Sequence, residues 1–399
     1  MPQLTKFALT VACLLLCIQQ AFAQKPDFSK VPGAIVTHVP ASTETYIGSP
    51  SICKLPNGDY LASADLFGPK SNERQSGISL IFRSNDKGKT WSQIATIKGQ
   101  FWSKLFVHRN QLYFFGTAKH NGNTIIRHSP DGGVTWTEPT NSSNGLLLEG
   151  DYHCAPTPII EHNGRLWRTM EDALSMINKN GRKNGAFVMS IPVDADLMNA
   201  NNWTSSRTLD YELSFLTESF GGWLEGNAVV DPQGNVVDFL RVNPNDTKLE
   251  KAAIIKLSKD GETASFDPET GFIPFSGGSK KFSIIQDPAT GMYWTLVNNI
   301  PAEISKKFPD LKTSHIRNTL SLYCSNDLRT WEYRKTVLQH PDAIVHAFQY
   351  VDWIFDGNDI LLLSRTSYDD GLGGANSYHD ANFLTFHRIK NFRKAVDKQ

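Results

Sequence analysis

From residue 46 onward the chain runs in short alternations of apolar and polar residues, each broken by turn residues. Period two is the signature of half-buried β-strands. Six pairs of such runs face each other across tight turns. They are Ser51–Ser63 around Asn57-Gly58, Leu105–Thr117 around Asn110, Pro158–Thr169 around Asn163-Gly164, Ala228–Val242 around Gln233-Gly234, Phe282–Val297 around Ala289, and Tyr350–Ser364 around Gly357. Asn-Gly between apolar runs suits a two-residue hairpin turn with positive φ. A third run follows each hairpin: Gly77–Ser84, Asn123–Ser129, Gly185–Ile191, Ala252–Ser258, Asn318–Ser325 and Asn382–Ile389. The turn centres are 53, 53, 70, 56 and 68 residues apart, which points to a repeated supersecondary unit.

Several third runs lead into a second motif. Ser84-Asn85-Asp86-Lys87-Gly88-Lys89-Thr90-Trp91 and Ser129-Pro130-Asp131-Gly132-Gly133-Val134-Thr135-Trp136 share Ser-x-Asp-x-Gly-x-Thr-Trp. Ser325-Asn326-Asp327-Leu328-Arg329-Thr330-Trp331 is a shortened copy without the glycine, and Ser258-Lys259-Asp260-Gly261 is a fragment. The residue types suit a turn, in which Ser and Asp oxygens accept backbone amides, Gly takes a positive φ and Trp packs beneath. The motifs resemble the Asp-boxes of sialidase-like propellers. That resemblance, in frame with the hairpins, implies an all-β fold: a single β-propeller of four-stranded antiparallel blades. Six units are counted, and the long intervals leave room for an irregular seventh blade. The last run lacks a following partner, which Gly33–Val39 would supply, closing the ring with N- and C-terminal strands.

Residues 1–23 stand apart. Lys6 precedes an apolar run from Phe7 to Ile18, and Ala21-Phe22-Ala23 offers small residues before Gln24. This is the layout of a cleaved secretory signal, too short to span a bilayer. The expected organisation is a signal over 1–23 and a catalytic propeller over 24–399, in a secreted or periplasmic monomer with no transmembrane segment. Cys17 is a candidate lipid-anchor residue, although the leucines before it do not resemble the usual cleavage box. Charge is balanced, Lys+Arg 40 against Asp+Glu 40, which argues against a nucleic-acid partner. Cys53, Cys154 and Cys324 are too widely spaced for a metal pair or a disulfide framework and read as small buried strand residues. No cofactor and no metal is expected. The stretch from Asp369-Asp370 to His379-Asp380 gathers acids and a histidine, but its spacing fits no cation motif. Asn141, Asn202 and Asn245 begin Asn-x-Ser/Thr sequons.

In a propeller the first strand of each blade lines the axis. One face gathers the starts of the first strands and the ends of the second. At these matched positions stand His153, Glu225, Asn227, Lys281 and His346, and then Asp65, His120, Arg168, Glu171, Arg241, Arg365 and Tyr368. So many cations around one axis suggest an anionic ligand such as a uronate. His153, His120 and Tyr368 are the candidate catalytic residues. Arg168, Arg241, Arg365, Glu225, Asn227, Lys281 and His346 are the candidate substrate contacts. Tyr350 reads equally well as a plug of the axis.

True sialidases carry an Arg-Ile-Pro-like motif early in the first blade, whose arginine belongs to a triad binding the substrate carboxylate. Here the matching stretch is Tyr46-Ile47-Gly48-Ser49-Pro50, without an arginine. The whole chain after residue 23 is more similar to secreted bacterial propellers, lyases or α-L-rhamnosidases, acting on L-rhamnose-α-1,4-D-glucuronate ends of arabinogalactan. This similarity rests on Tyr46 to Ser51, His153-Cys154-Ala155-Pro156, Gly164 to Arg168, Trp223 to Asn227, and Ser364-Arg365-Thr366 through His379-Asp380-Ala381-Asn382. Propeller ulvan lyases are a further relative. The resemblance implies a carbohydrate-active enzyme on a uronate-containing glycan, with β-elimination favoured over hydrolysis. In a lyase, cations would neutralise the carboxylate and a His or Tyr would move the C5 proton. A hydrolase would draw on Asp65, Glu171 and Glu225. A non-catalytic glycan-binding propeller is the alternative of a different class.

Overall fold

The structure is a computed structural model that describes residues 25–178, 181–210, 212, 214–216, 220–244 and 250–394. The expected signal, Cys17 and the Asn245 sequon lie outside the described residues.

The strands form five antiparallel sheets: three of four strands, one of five and one of eight. Blade one comprises Tyr46–Lys54, Tyr60–Phe67, Ile78–Ser84 and Ser92–Lys98, and blade two Phe101–His108, Gln111–Thr117, Gly122–Ser129 and Leu146–His153. The eight-stranded sheet holds blades two and three, because Tyr152 and His153 also pair with Asp172 and Glu171 of blade three. Blade three is built on Arg165–Asn178, Gly181–Pro192 and Thr204–Ser205. Blade four comprises Phe220–Val230, Val236–Pro244, Lys251–Leu257, and the short Ala264–Ser265 and Phe272–Pro274. Blade five is Ser283–Gln286, Tyr293–Val297, Thr319–Ser325 and Glu332–Gln339. Blade six is Ala347–Asp356, Asp359–Ser367 and Phe383–Ile389, completed by the N-terminal Ala34–His38. Ala34 pairs with Phe386 and His38 with Phe383, so the ring closes as expected.

Among the described residues the long intervals hold no seventh blade. The first carries the extended hairpin of blade three, and the second carries a helix, Ala302–Lys307, and a 3₁₀ turn, Thr313–His315. The hairpins form for the local reasons anticipated. Asn163 and Gly164, at φ 50 and 71, make a turn that bulkier residues resist. In the first Asp-box, Asp86 Oδ1 accepts the amides of Lys89 and Thr90, each at 3.0 Å, and the Gly88 amide donates to Ser84 Oγ at 2.8 Å. The copy lacking glycine keeps the geometry by holding Leu328 at φ 64. Cys53, Cys154 and Cys324 are free and buried.

First strands are stitched to one another around the axis. The Leu105 amide donates to Ser51 Oγ at 2.9 Å, the Ile284 amide to Asn227 Oδ1 at 3.1 Å, and Trp353 Nε1 to the Ser283 carbonyl at 3.1 Å. Asp352, fully buried, meets Lys104 Nζ at 2.5 Å and the Ile52 amide at 2.8 Å. The axis is thus a packed interior, in which Asp352 Oδ1 is left without a hydrogen-bond partner. Among the described residues no helix is long and apolar enough to cross a membrane.

Candidate active site

Four first strands lose register near their start. Two residues on each are left without cross-strand partners: Gly48-Ser49, Trp102-Ser103, Glu225-Gly226 and Tyr350-Val351. In blades two, four and six the first of the two is a large residue in the left-handed region: Trp102 at φ 48, Glu225 at φ 55 and Tyr350 at φ 54. Bulges of this kind re-aim a side chain, and the positive φ turns each of these three away from the regular strand direction.

Around Tyr350 stand three buried arginines. Arg241 donates to Glu225 Oε2 at 2.8 Å, to the Ser279 carbonyl at 3.0 Å, and reaches the Tyr350 hydroxyl at 3.5 Å. The guanidinium carbons of Arg317 and Arg365 lie 5.5 and 4.9 Å from the Tyr350 ring centre. Arg317 is braced by Gln349 Oε1 at 2.6 Å and by the Tyr378 ring, and Arg365 by the Phe67 ring and the His379 carbonyl. Among the described residues only Arg241 has a carboxylate at ion-pair distance. Burial pushes Arg317 down and Arg365 down to about 10. Two dry cations with no carboxylate at ion-pair distance are chemically suited to an anion.

Acid–base groups line the adjoining rim. Buried Asp65 accepts from Ser79 Oγ at 2.5 Å and from the Trp102 amide at 2.8 Å. Burial outweighs these bonds and lifts its carboxyl to about 7. His153 Nδ1 pairs with Glu171 Oε2 at 2.6 Å, and Glu171 Oε1 takes the Gly226 amide at 3.0 Å. The His153 ring lies 4.0 Å from Trp102, and His120 lies 4.6 Å from the other end of this contact series. Burial, followed by His153 and Arg74, lowers His120 to about 4, so it is neutral near pH 7.

The structure therefore brings together His153, His120, Glu225, Arg241 and Arg365, and separates the other candidates. Arg168 is fully buried and donates to the carbonyls of Ala155 and Thr157, at 2.6 and 3.0 Å. Asn227 staples blades four and five through the Phe282 carbonyl and the Ile284 amide. Lys281 is buried at the axis, donating to the Val351 carbonyl at 2.6 Å. His346 stacks on His340 at 3.6 Å and pairs with Asp342, and Tyr368 packs edge-on to both rings. Arg317 escaped the strand-end reading because it follows the inserted helix and turn of blade five. Its only sequence signal is a cation directly before a third strand. Tyr350 carried no signal that separated it from a plug of the axis.

No protein-family profile matches the chain, and no curated protein matches it in sequence. Solved structures do resemble it. The α-L-arabinanase of Penicillium chrysogenum, solved with arabinobiose, shares 13% identity at a TM-score of 0.58, covering 91% of this chain and 99% of that one. The α-L-arabinofuranosidase of Fusarium graminearum shares 11% at 0.55, covering 91% and 98%. The Trypanosoma rangeli sialidase, solved with sialic acid, shares 14% at 0.54, covering 86% of this chain and 54% of that one. At these identities the likeness establishes the propeller fold.

Proposed function

We propose that this protein is a secreted or periplasmic enzyme that cleaves a glycosidic bond beside a carboxylate-bearing sugar. The observation that carries the reading is the convergence of Arg241, Arg317 and Arg365 on Tyr350. The sugar carboxylate docks on the guanidiniums, whose planar forks match it. That fixes the sugar ring over the phenol. Hydrolysis is the reaction this geometry supports best. Tyr350 attacks the anomeric carbon, as tyrosine does in some glycosidases, and Glu225 next to it receives the phenolic proton. Asp65, whose carboxyl burial lifts to about 7, delivers to the leaving oxygen the proton it holds below that pH. Water then attacks the anomeric carbon and gives its proton to the Asp65 carboxylate, while Glu225 returns the phenolic proton to Tyr350 as the bond to the sugar breaks. The structural neighbours that act on arabinosyl and sialyl substrates agree with a carbohydrate-active propeller.

The His153–Glu171 pair favours a second reading, β-elimination at a uronate. Here the arginines neutralise the carboxylate, His153 or Tyr350 removes the C5 proton, and the 4-linked sugar leaves. The rhamnose–glucuronate ends of arabinogalactan would suit it. One experiment separates the readings. Aryl glycosides of glucuronic and sialic acid and a rhamnose-capped arabinogalactan are each incubated with the protein. Release of the aryl group supports hydrolysis. Free rhamnose with the ultraviolet absorbance of an unsaturated uronate means elimination. Silence on all three substrates sinks the enzyme reading.

A further inference from the structure

The bulge in blade two belongs to the same set as those carrying Glu225 and Tyr350, yet neither reaction above uses its residue, Trp102. A tryptophan needed only for packing could reach the interior from regular strand backbone. Trp102 instead sits at φ 48, with its amide held by Asp65 Oδ2 at 2.8 Å and its carbonyl taking the Cys154 thiol at 3.2 Å. Its ring packs at the edge of the core of blades two and three and contacts His153 and His120, and the residue remains partly exposed, as does His120. Strain retained at a bulky aromatic that is pinned on several sides and open to solvent is the mark of a preorganised contact surface.

The geometry points to a saccharide subsite on Trp102 and His120, and we propose that it holds the sugar on the leaving-group side of the scissile bond. The direction follows from Asp65. The carboxyl that holds the Trp102 amide is the group assigned to protonate the leaving oxygen, so a ring resting on Trp102 lies beside that proton. The apolar C–H face of a neutral hexopyranose suits an aromatic shelf, and the neighbouring His120 and Glu73 offer polar groups to its hydroxyls. The carboxylate sugar is assigned instead to Tyr350, around which Arg317 and Arg365 lie. The inference deepens the glycosidase reading and rests on it for the order of the two sugars, but its binding test does not require turnover.

Binding of a neutral disaccharide such as lactose, and separately of free glucuronic and sialic acids, is measured by saturation-transfer NMR and titration on the full chain. The parent should bind both kinds of probe. Trp102→Ala should weaken the disaccharide about tenfold or more, the usual cost of truncating a contact aromatic, and leave the acidic sugars unchanged. Arg317→Met should do the reverse, and Trp102→Phe should keep most of the disaccharide affinity. If Trp102→Ala weakens both probes equally, the residue is a structural support and the subsite is overturned. Failure of the parent to bind the disaccharide overturns it as well. Loss confined to the acidic sugars in the parent would instead overturn the carboxylate reading of the arginines.

Discussion

Blades three and six each carry an arginine on the second strand, Arg168 nearer the hairpin turn and Arg365 beside the first-strand bulge, and the two do opposite work. Arg168 spends its guanidinium on the backbone carbonyls of Ala155 and Thr157. Arg365 has aromatic faces and the His379 carbonyl around it, and among the described residues no carboxylate at ion-pair distance. The difference lies in the neighbouring first strand. In blade six that strand runs from Ala347 to Asp356 with a single bulge, so its backbone is largely paired. In blade three it is broken: Tyr152-His153 and Ile160–His162 pair with the second strand, while 154–159 leave the ladder. Buried carbonyls freed by the break need donors, and Arg168 supplies them. An arginine on a second strand is thus drawn to the backbone where the adjacent first strand leaves carbonyls unpaired, and is left for other partners where that strand has satisfied its own backbone.

Substitution by Met breaks the comparison most directly. Arg365→Met should cut kcat/KM on the carboxylate substrate about 10²- to 10³-fold, the usual loss for one electrostatic contact in a dry site. Its thermal stability should hold or rise, because an uncompensated buried cation is removed. Arg168→Met should reverse the pattern, costing about 3 kcal/mol by stranding buried acceptors, with kcat per folded molecule near that of the parent. Steady-state kinetics and chemical denaturation on both variants test this. Equal stability losses would mean that Arg365 is a second backbone staple.

The same contrast explains how far the sequence could be read. Repeat spacing, Asn-Gly turns and Asp-boxes are local features, fixed by φ preferences and short side-chain bonds, and they yielded the propeller and its closure by Ala34–His38. Arg241 and Arg365 were legible because strand alternation places strand ends on one face. Arg168 and Asn227 satisfied the same rule yet are bonded to backbone carbonyls, because strand position does not reveal which backbone groups nearby lack partners. Lys281 likewise points to the Val351 carbonyl at a position that topology alone marked as open. Arg317 and Tyr350 depended on features without a fixed period: an inserted helix and turn in one blade, and a bulge that re-aims one side chain.

Asp65 sharpens the comparison through pH. Burial raises its carboxyl to about 7, so the proton needed for the leaving oxygen is present below that pH and lost above it. Activity on a poor leaving group should fall as pH rises through about 7. The folded pKa lies above the unfolded value, so the folded state binds this proton more tightly. The Asp65 contribution to stability is therefore largest at low pH and declines as pH climbs from about 4 to about 7. Asp65→Asn should lower kcat on natural glycan linkages about 10²- to 10⁴-fold, with much less effect on aryl glycosides, whose leaving oxygen needs no proton. A uniform loss across both substrates would remove Asp65 from the acid role.

The smallest effect is expected on the opposite face, at Asp86, where a carboxylate serves only its turn. The Thr90 hydroxyl at 2.6 Å, with the surrounding amides, holds Asp86 down to about 2. Its folded pKa is below the unfolded value, so its contribution is present above about pH 4 and disappears as pH falls through about 2. Asp86→Ala should lower Tm slightly at neutral pH, and the gap from the parent should close between about pH 4 and 2. The kinetics should not change, since the turn joins the third and fourth strands and the first strands open toward the site at their other end. Thermal scans across that pH range, paired with kinetics at pH 7, decide the matter. A gap that persists in acid would show that Asp86 acts through packing rather than charge, and a fall in kcat would couple the two faces that the blade geometry keeps apart.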